Sequence, residues 1–102
     1  MATGLASITA AQWAEFCSTR GIRRLEVFGS MANGQATRDS DADLLLTVDE
    51  GVTLFDWVEI REALTTMLGC PVDILSRAAV EEDANVVRRK SILQSARVIH
   101  ES

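Results

Sequence analysis

Leu25-Glu26-Val27-Phe28-Gly29-Ser30, then a polar excursion through Gly34, then Ser40-Asp41-Ala42-Asp43-Leu44-Leu45-Leu46: the fold turns on these residues. An alternating run ends in Gly-Ser, and a second apolar run opens with Asp-x-Asp. Side chains alternate along a strand, so Asp41 and Asp43 share a face, with Cα atoms roughly 6–7 Å apart. Two carboxylates side by side at the mouth of a buried strand repel, and one must keep its proton unless a cation intervenes. Mg²⁺ removes the conflict, because it takes one or two carboxylates and completes its octahedron with phosphate oxygens. Gly29 lets a phosphate approach the backbone, and Ser30 adds a hydroxyl at the start of a short helical turn. Carboxylates for a metal beside a phosphate-cradling turn imply phosphoryl or nucleotidyl transfer.

Working outward, residues 22–28 read as a strand, with Leu25 and Val27 on one face and Glu26 and Phe28 on the other. Residues 41–48 form the second strand. Beyond its first residues it is apolar on nearly every position, so it should be central and covered on both sides. Upstream, Thr9 and Gln12 make a capping box, Ile8 staples onto Trp13, and Gly21 ends the helix. Trp13 has the rings for base stacking, but its helical spacing with Phe16 and Cys17 places it in the core. Downstream, Thr53 and Asp56 repeat the cap, and Leu54, Trp57, Ile60, Leu64, Met67 and Leu68 follow helical spacing until Gly69 and Pro71 stop the helix. Residues 72–75 are a third strand, residues 83–94 a helix, and residues 97–100 a short last strand.

Connection rules bring the chemistry together. Strands one and two are joined by a short connection and pair antiparallel, which sets Gly29-Ser30 beside Asp41 and Asp43. Strands two and three are joined by a helix and run parallel, so the third strand starts at that same end. It carries Asp73, the one acidic residue in an apolar strand. Three carboxylates and a glycine turn converge on one edge.

The chain has 102 residues, enough for one domain with a buried core. Hydrophobic residues at 47% and charged residues at 25% are ordinary for a globular chain, and a net charge of −5 argues against a general nucleic-acid binder. No apolar run reaches membrane-spanning length, and Met1-Ala2-Thr3-Gly4 carries no signal-like pattern, so a cytoplasmic location is expected. Cys17 and Cys70 lack metal-type spacing and read as small buried hydrophobes. Arg88-Arg89-Lys90 reads as a solvated helix face, and His100 has no companions that would make it a ligand.

Gly29-Ser30, then Ser40-Asp41-Ala42-Asp43, then a helix and Val72-Asp73-Ile74, resembles the minimal nucleotidyltransferases of the DNA polymerase β superfamily. The resemblance runs from about residue 22 to the C-terminus, where Arg97-Val98-Ile99-His100-Glu101 looks like that family's closing strand. It implies an α+β, polymerase-β-like nucleotidyltransferase fold, a small mixed sheet with flanking helices, in a single domain over 1–102. It further implies that Asp41, Asp43 and Asp73 are the catalytic and metal-binding set for Mg²⁺ or Mn²⁺. Gly29, Ser30 and Ser40 would bind the nucleotide, with ATP as co-substrate. Where the family often has Gly-Ser-Arg-x-Arg-Gly, this chain has Met31 and Asn33, and only Arg38 offers a nearby cation.

Small stand-alone members resemble the antitoxin half of prokaryotic toxin–antitoxin pairs, whose partner is a HEPN-domain ribonuclease. The resemblance implies a protein adenylyltransferase that moves AMP from ATP onto a toxin tyrosine. Two other readings remain open at this point: a non-catalytic antitoxin that masks the toxin, and a transferase for a small hydroxyl compound.

Overall fold

The computed structural model describes residues 7–29, 32 and 41–102. The first helix, α1 (Ala10–Ser18), opens on the expected box. The Thr9 hydroxyl accepts the Gln12 amide at 3.1 Å, and the Gln12 side chain accepts the Thr9 amide at 2.8 Å. The helix stops earlier than its sequence suggests, at Ser18 with Thr19 as its cap. The Thr19 hydroxyl lies 3.1 Å from the carbonyls of both Glu15 and Phe16 and so serves the last turn. Gly21, at φ +71°, instead turns the chain into β1 (Ile22–Phe28).

Strand β2 (Ala42–Val48) leads to α2 (Leu54–Leu68), β3 (Val72–Ser76), α3 (Arg77–Glu81), α4 (Val86–Ser95) and β4 (Arg97–Glu101). The sheet order is β3-β2-β1-β4, with β1 antiparallel to both β2 and β4 and β2 parallel to β3. The antiparallel β1–β2 and parallel β2–β3 pairings are those expected from the connection lengths, and the structure adds β4 on the free edge of β1. The second capping box is also present, and Gly69 closes α2 at φ +72°. Ile60, Leu64 and Leu68 are buried, but Leu54, expected inward, is 83% exposed. It is the first residue of α2, about 9 Å along the helix axis before Ile60, the first buried residue of the stripe.

The C-terminal third departs most from expectation. The helix expected over 83–94 is present as α4, which starts three residues later and runs to Ser95, and an additional short helix, α3, precedes it. Asp83 stays outside both and accepts the Asn85 amide at 2.9 Å and Arg88 Nε at 2.7 Å. Asn85 is then the cap of α4. Arg88 is thereby paired, and Arg89 bonds the Asp83 carbonyl at 2.8 Å, so this basic cluster is partly committed to its own helix entry.

The sheet separates two unequal cores. One holds Trp13, Phe16, Leu25, Leu44, Leu46 and Leu64 beneath α1 and α2. The other holds Phe28, Leu45 and Val80, backed by Ile92, Leu93 and Ala96 of the C-terminal segment. Leu44, Leu45 and Leu46 are each at most 1% exposed although they point alternately to the two faces, so β2 is covered on both sides as expected. Cys17 is buried, Cys70 is half-buried, and both are free. Burial pushes the Cys17 thiol up to about 11, with the Arg20 charge opposing it. Among the described residues no helix is long and apolar enough to cross a membrane.

One charge lies inside. Glu26 is 2% exposed on the smaller-core face of β1. Arg77 Nη1 bonds both of its carboxylate oxygens, at 2.8 and 2.7 Å, and Arg24 Nε lies 3.5 Å away. Burial works against the Arg77 charge, but the bonds to Glu26 and Glu81 outweigh it and raise its pKa above the ordinary value. The pair ties the first residue of α3 to β1. Arg77→Ala should strand the buried carboxylate and cost about 3–5 kcal/mol, seen as a lower urea midpoint. Glu26→Leu with Arg77→Met should recover most of that loss. A single-variant loss below about 1 kcal/mol would mean that water reaches Glu26.

Candidate active site

Strand register builds the site. The β1–β2 ladder pairs Phe28 with Asp43, and the β2–β3 ladder pairs Asp43 with Asp73. Residues in register on neighbouring strands lie about 4.8 Å apart and project to the same face. Asp43 therefore stands between the end of β1 and Asp73, on the face of the smaller core. Asp41 is exposed just before β2, while Ala42 between the two aspartates is fully buried in the larger core. The alternation expected for Asp-x-Asp is present, and the apolar middle residue anchors it. Asp43 is half-buried and Asp73 exposed. Burial first, then the charges of Asp73 and Asp41, raise the Asp43 carboxyl above the usual carboxylate range.

Gly29 has a structural reason of its own. Its φ is +72°, and a Cβ there would come within 2.6 Å of Asp43 Oδ2. The residue is glycine because the backbone turns left-handed and because a carboxylate lies against it. The sequence set this glycine beside Asp43 but gave its small size a role only in phosphate approach, not in making room for the carboxylate. The Gly29 carbonyl accepts the Ala32 amide at 3.1 Å, which starts a tight turn, and the Gly29 amide donates to Ser95 Oγ at 3.4 Å. The expected contributors Ser30 and Ser40 lie outside the described residues, as do Met31, Asn33 and Arg38. His100 is half-buried in β4 opposite Leu25, away from the Asp43 end of the sheet.

Among the described residues, no three His, Cys, Asp or Glu side chains are assembled closely enough to hold a metal ion on their own. Among the described residues the side-chain donors at this end are carboxylates, and the charges of Asp73 and Asp41 add to burial in raising the proton affinity of Asp43. Such a set suits a hard divalent ion that needs only one or two carboxylates and takes its remaining ligands from phosphate and water.

The nucleotidyltransferase domain family matches residues 11–100. This chain belongs to that family. Protein adenylyltransferase MntA of Thermococcus cleftensis is 35% identical over 75 residues, which cover 74% of this chain and 76% of the relative. A solved structure described as a minimal nucleotidyltransferase is 38% identical, with a TM-score of 0.71, covering 92% of this chain and 94% of that one. A second, described as a tri-AMPylated Shewanella oneidensis HEPN toxin in complex with MNT antitoxin, has a TM-score of 0.59 at 13% identity, over 91% of this chain and 70% of that one. At that identity the likeness is one of fold alone. The four-stranded mixed sheet with flanking helices is thus the minimal nucleotidyltransferase fold.

Ser95, beside Gly29, and Arg77, past the far end of β3, were not legible beforehand. Ser95 carries no motif, and its contact with Gly29 spans 66 positions. Arg77 opens a helix of only five residues that no periodicity announced.

The charge crowding has a measurable sign. In the folded protein Asp43 holds its proton more tightly than in the unfolded chain. The associated stability is complete below the ordinary carboxylate pKa and is lost as pH rises through the raised folded value. Metal-free Asp43→Asn should therefore melt a few degrees above the parent at pH 7, with the gap closing near ~pH 3. An equal gap at both pH values would remove charge as its cause. Gly29→Ala should cost about 1–2 kcal/mol for the left-handed backbone alone. It should cost clearly less in an Asp43→Ala background, where the facing carboxylate is gone. Equal losses in both backgrounds would show that the Gly29–Asp43 contact is not tight in solution.

Proposed function

We propose that this nucleotidyltransferase domain is a protein adenylyltransferase that acts as an antitoxin. It transfers AMP from ATP to a hydroxyl side chain, a tyrosine by the family resemblance, of a HEPN-type ribonuclease toxin in the cytoplasm. The observation that carries the reading is the register that sets Asp43 beside Asp73 and against the Gly29 turn, in a chain of this family. The whole of 1–102 works as one catalytic domain, and the toxin surface supplies the rest of the acceptor site.

In this reading Gly29, Ser30 and Ser40 form the nucleotide-binding turn, with Gly29-Ser30 at the β- and γ-phosphates. Asp41 and Asp43, with Asp73, are the residues to hold Mg²⁺ or Mn²⁺. When bound, the ion offsets phosphate charge during an in-line displacement. Asp73, exposed at the start of β3, helps take the proton of the attacking hydroxyl. A bond forms between the toxin oxygen and the α-phosphorus, and the α–β anhydride bond breaks. Pyrophosphate leaves with the electron pair. The crowding that raises the Asp43 proton affinity favours a cation between the carboxylates, which fits an enzyme that meets its metal together with the triphosphate.

A second reading has one observation in its favour. Met31 and Asn33 stand where the family often has arginines, which suits an antitoxin that only masks its toxin. Covalent transfer separates the two. With purified toxin, Mg²⁺ and ATP labelled at the α-phosphate, the toxin should become labelled, and mass spectrometry should find AMP on a hydroxyl side chain. Asp73→Asn should lower the labelling rate by at least about 100-fold, since two decades correspond to about 2.7 kcal/mol of transition-state stabilisation. Co-purification with the toxin should persist. Neutralisation of the toxin by Asp73→Asn as full as that by the wild type, with AMP never found on the toxin, would replace catalysis with masking.

A further inference from the structure

We infer that Ser95 is a positioning residue for nucleotide binding: from the last residue of α4 its hydroxyl holds the Gly29 amide and fixes the turn against which Asp43 packs. This inference rests on the adenylyltransferase reading for its nucleotide. The paired registers end at Phe28 with Asp43 on one side of β1 and at Val27 with Arg97 on the other. The Gly29 amide lies past both and needs another acceptor. Ser95 Oγ is that acceptor, at 3.4 Å. A hydroxyl has one proton to give. Ser95 directs it to the Ile92 carbonyl at 3.1 Å, which leaves a lone pair for Gly29.

The serine is itself well placed. Ile92, Leu93 and Ala96 around it pack on the smaller core that holds Phe28, the residue before the turn. With the Gly29 carbonyl bonded by Ala32, the turn is held through both its donor and its acceptor. The Gly29 amide is occupied by protein, so the setting of this glycine depends on a side chain from the far end of the sequence. Ser95 touches neither substrate nor reacting atoms in this role.

The test uses the whole chain with ATP, Mg²⁺ and the HEPN-type toxin as acceptor. Ser95→Ala should keep a cooperative melt, because alanine is a good residue for a helix end turn. Its KM for ATP, and its Kd for a non-hydrolysable ATP analogue, should rise about fivefold, the size of one ordinary hydrogen bond. Its kcat should stay within about twofold of the wild type. Hydrogen exchange at the Gly29 amide, followed by NMR without nucleotide, should accelerate by a similar factor. Ser95→Thr, which keeps the hydroxyl, should restore both. Unchanged KM or unchanged Gly29 exchange in Ser95→Ala overturns the inference, as does a loss that threonine does not repair; in each case ATP binding by the wild type leaves the adenylyltransferase reading standing. A wild-type protein that binds no ATP removes that reading and this inference together.

Discussion

Carboxylates that repel one another are held at one end of a sheet, and much of the architecture serves to keep them there. A pair of charges roughly 6 Å apart at an effective dielectric of about 20 repels by about 2–3 kcal/mol, less where solvent screens it. Against that stand Leu44, Leu45 and Leu46, directly after Asp43 and each at most 1% exposed. Burying each such side chain contributes about 1.5–3 kcal/mol. The strand that carries the conflict is therefore deeply anchored in the core. The α2 crossover sets β3 parallel to it in a register that aligns Asp43 with Asp73. Had β3 run antiparallel, its start would lie at the other end of the sheet and Asp73 with it.

The two faces of the sheet divide the labour. Helices α1 and α2 cover the larger core, whose residues make the domain fold. The smaller face carries Phe28, Leu45 and Val80 and leaves room beside them for charge. At one end of that face stand Asp43 and Asp73. Further along β1 lies Glu26, satisfied by Arg77. The same face thus meets its charges in two ways, one by internal pairing and one by leaving them for an outside cation and its phosphate.

What the sequence made legible was local, or followed from connection length. Both capping boxes could be read because hydroxyl and acceptor are three residues apart. The meeting of Gly29, Asp43 and Asp73 could be read because a short link and a helical crossover leave few choices of which strand ends meet. The roles of these residues in binding and catalysis go further than their placement. The rest was hidden for a common reason. Arg77 with Glu26, and Ser95 with Gly29, are partners separated by 51 and 66 positions, joined by single side chains that leave no periodic trace. Helix α3 is too short to show a period, and Leu54 fits the helical spacing but stands at the exposed first residue of α2.

The sheet has two outer strands, β3 and β4, each of five residues. Open strands of this kind are templates on which further chains can stack into aggregates. Here β4 carries Arg97, His100 and Glu101, with Arg24 3.7 Å from Glu101. On β3 the Val72 carbonyl is already taken by Arg61 Nε at 3.2 Å. Short, charged and partly occupied margins make a poor seed for cross-β growth. An acidic domain with such margins meets other molecules through loops and side chains rather than by lending a strand.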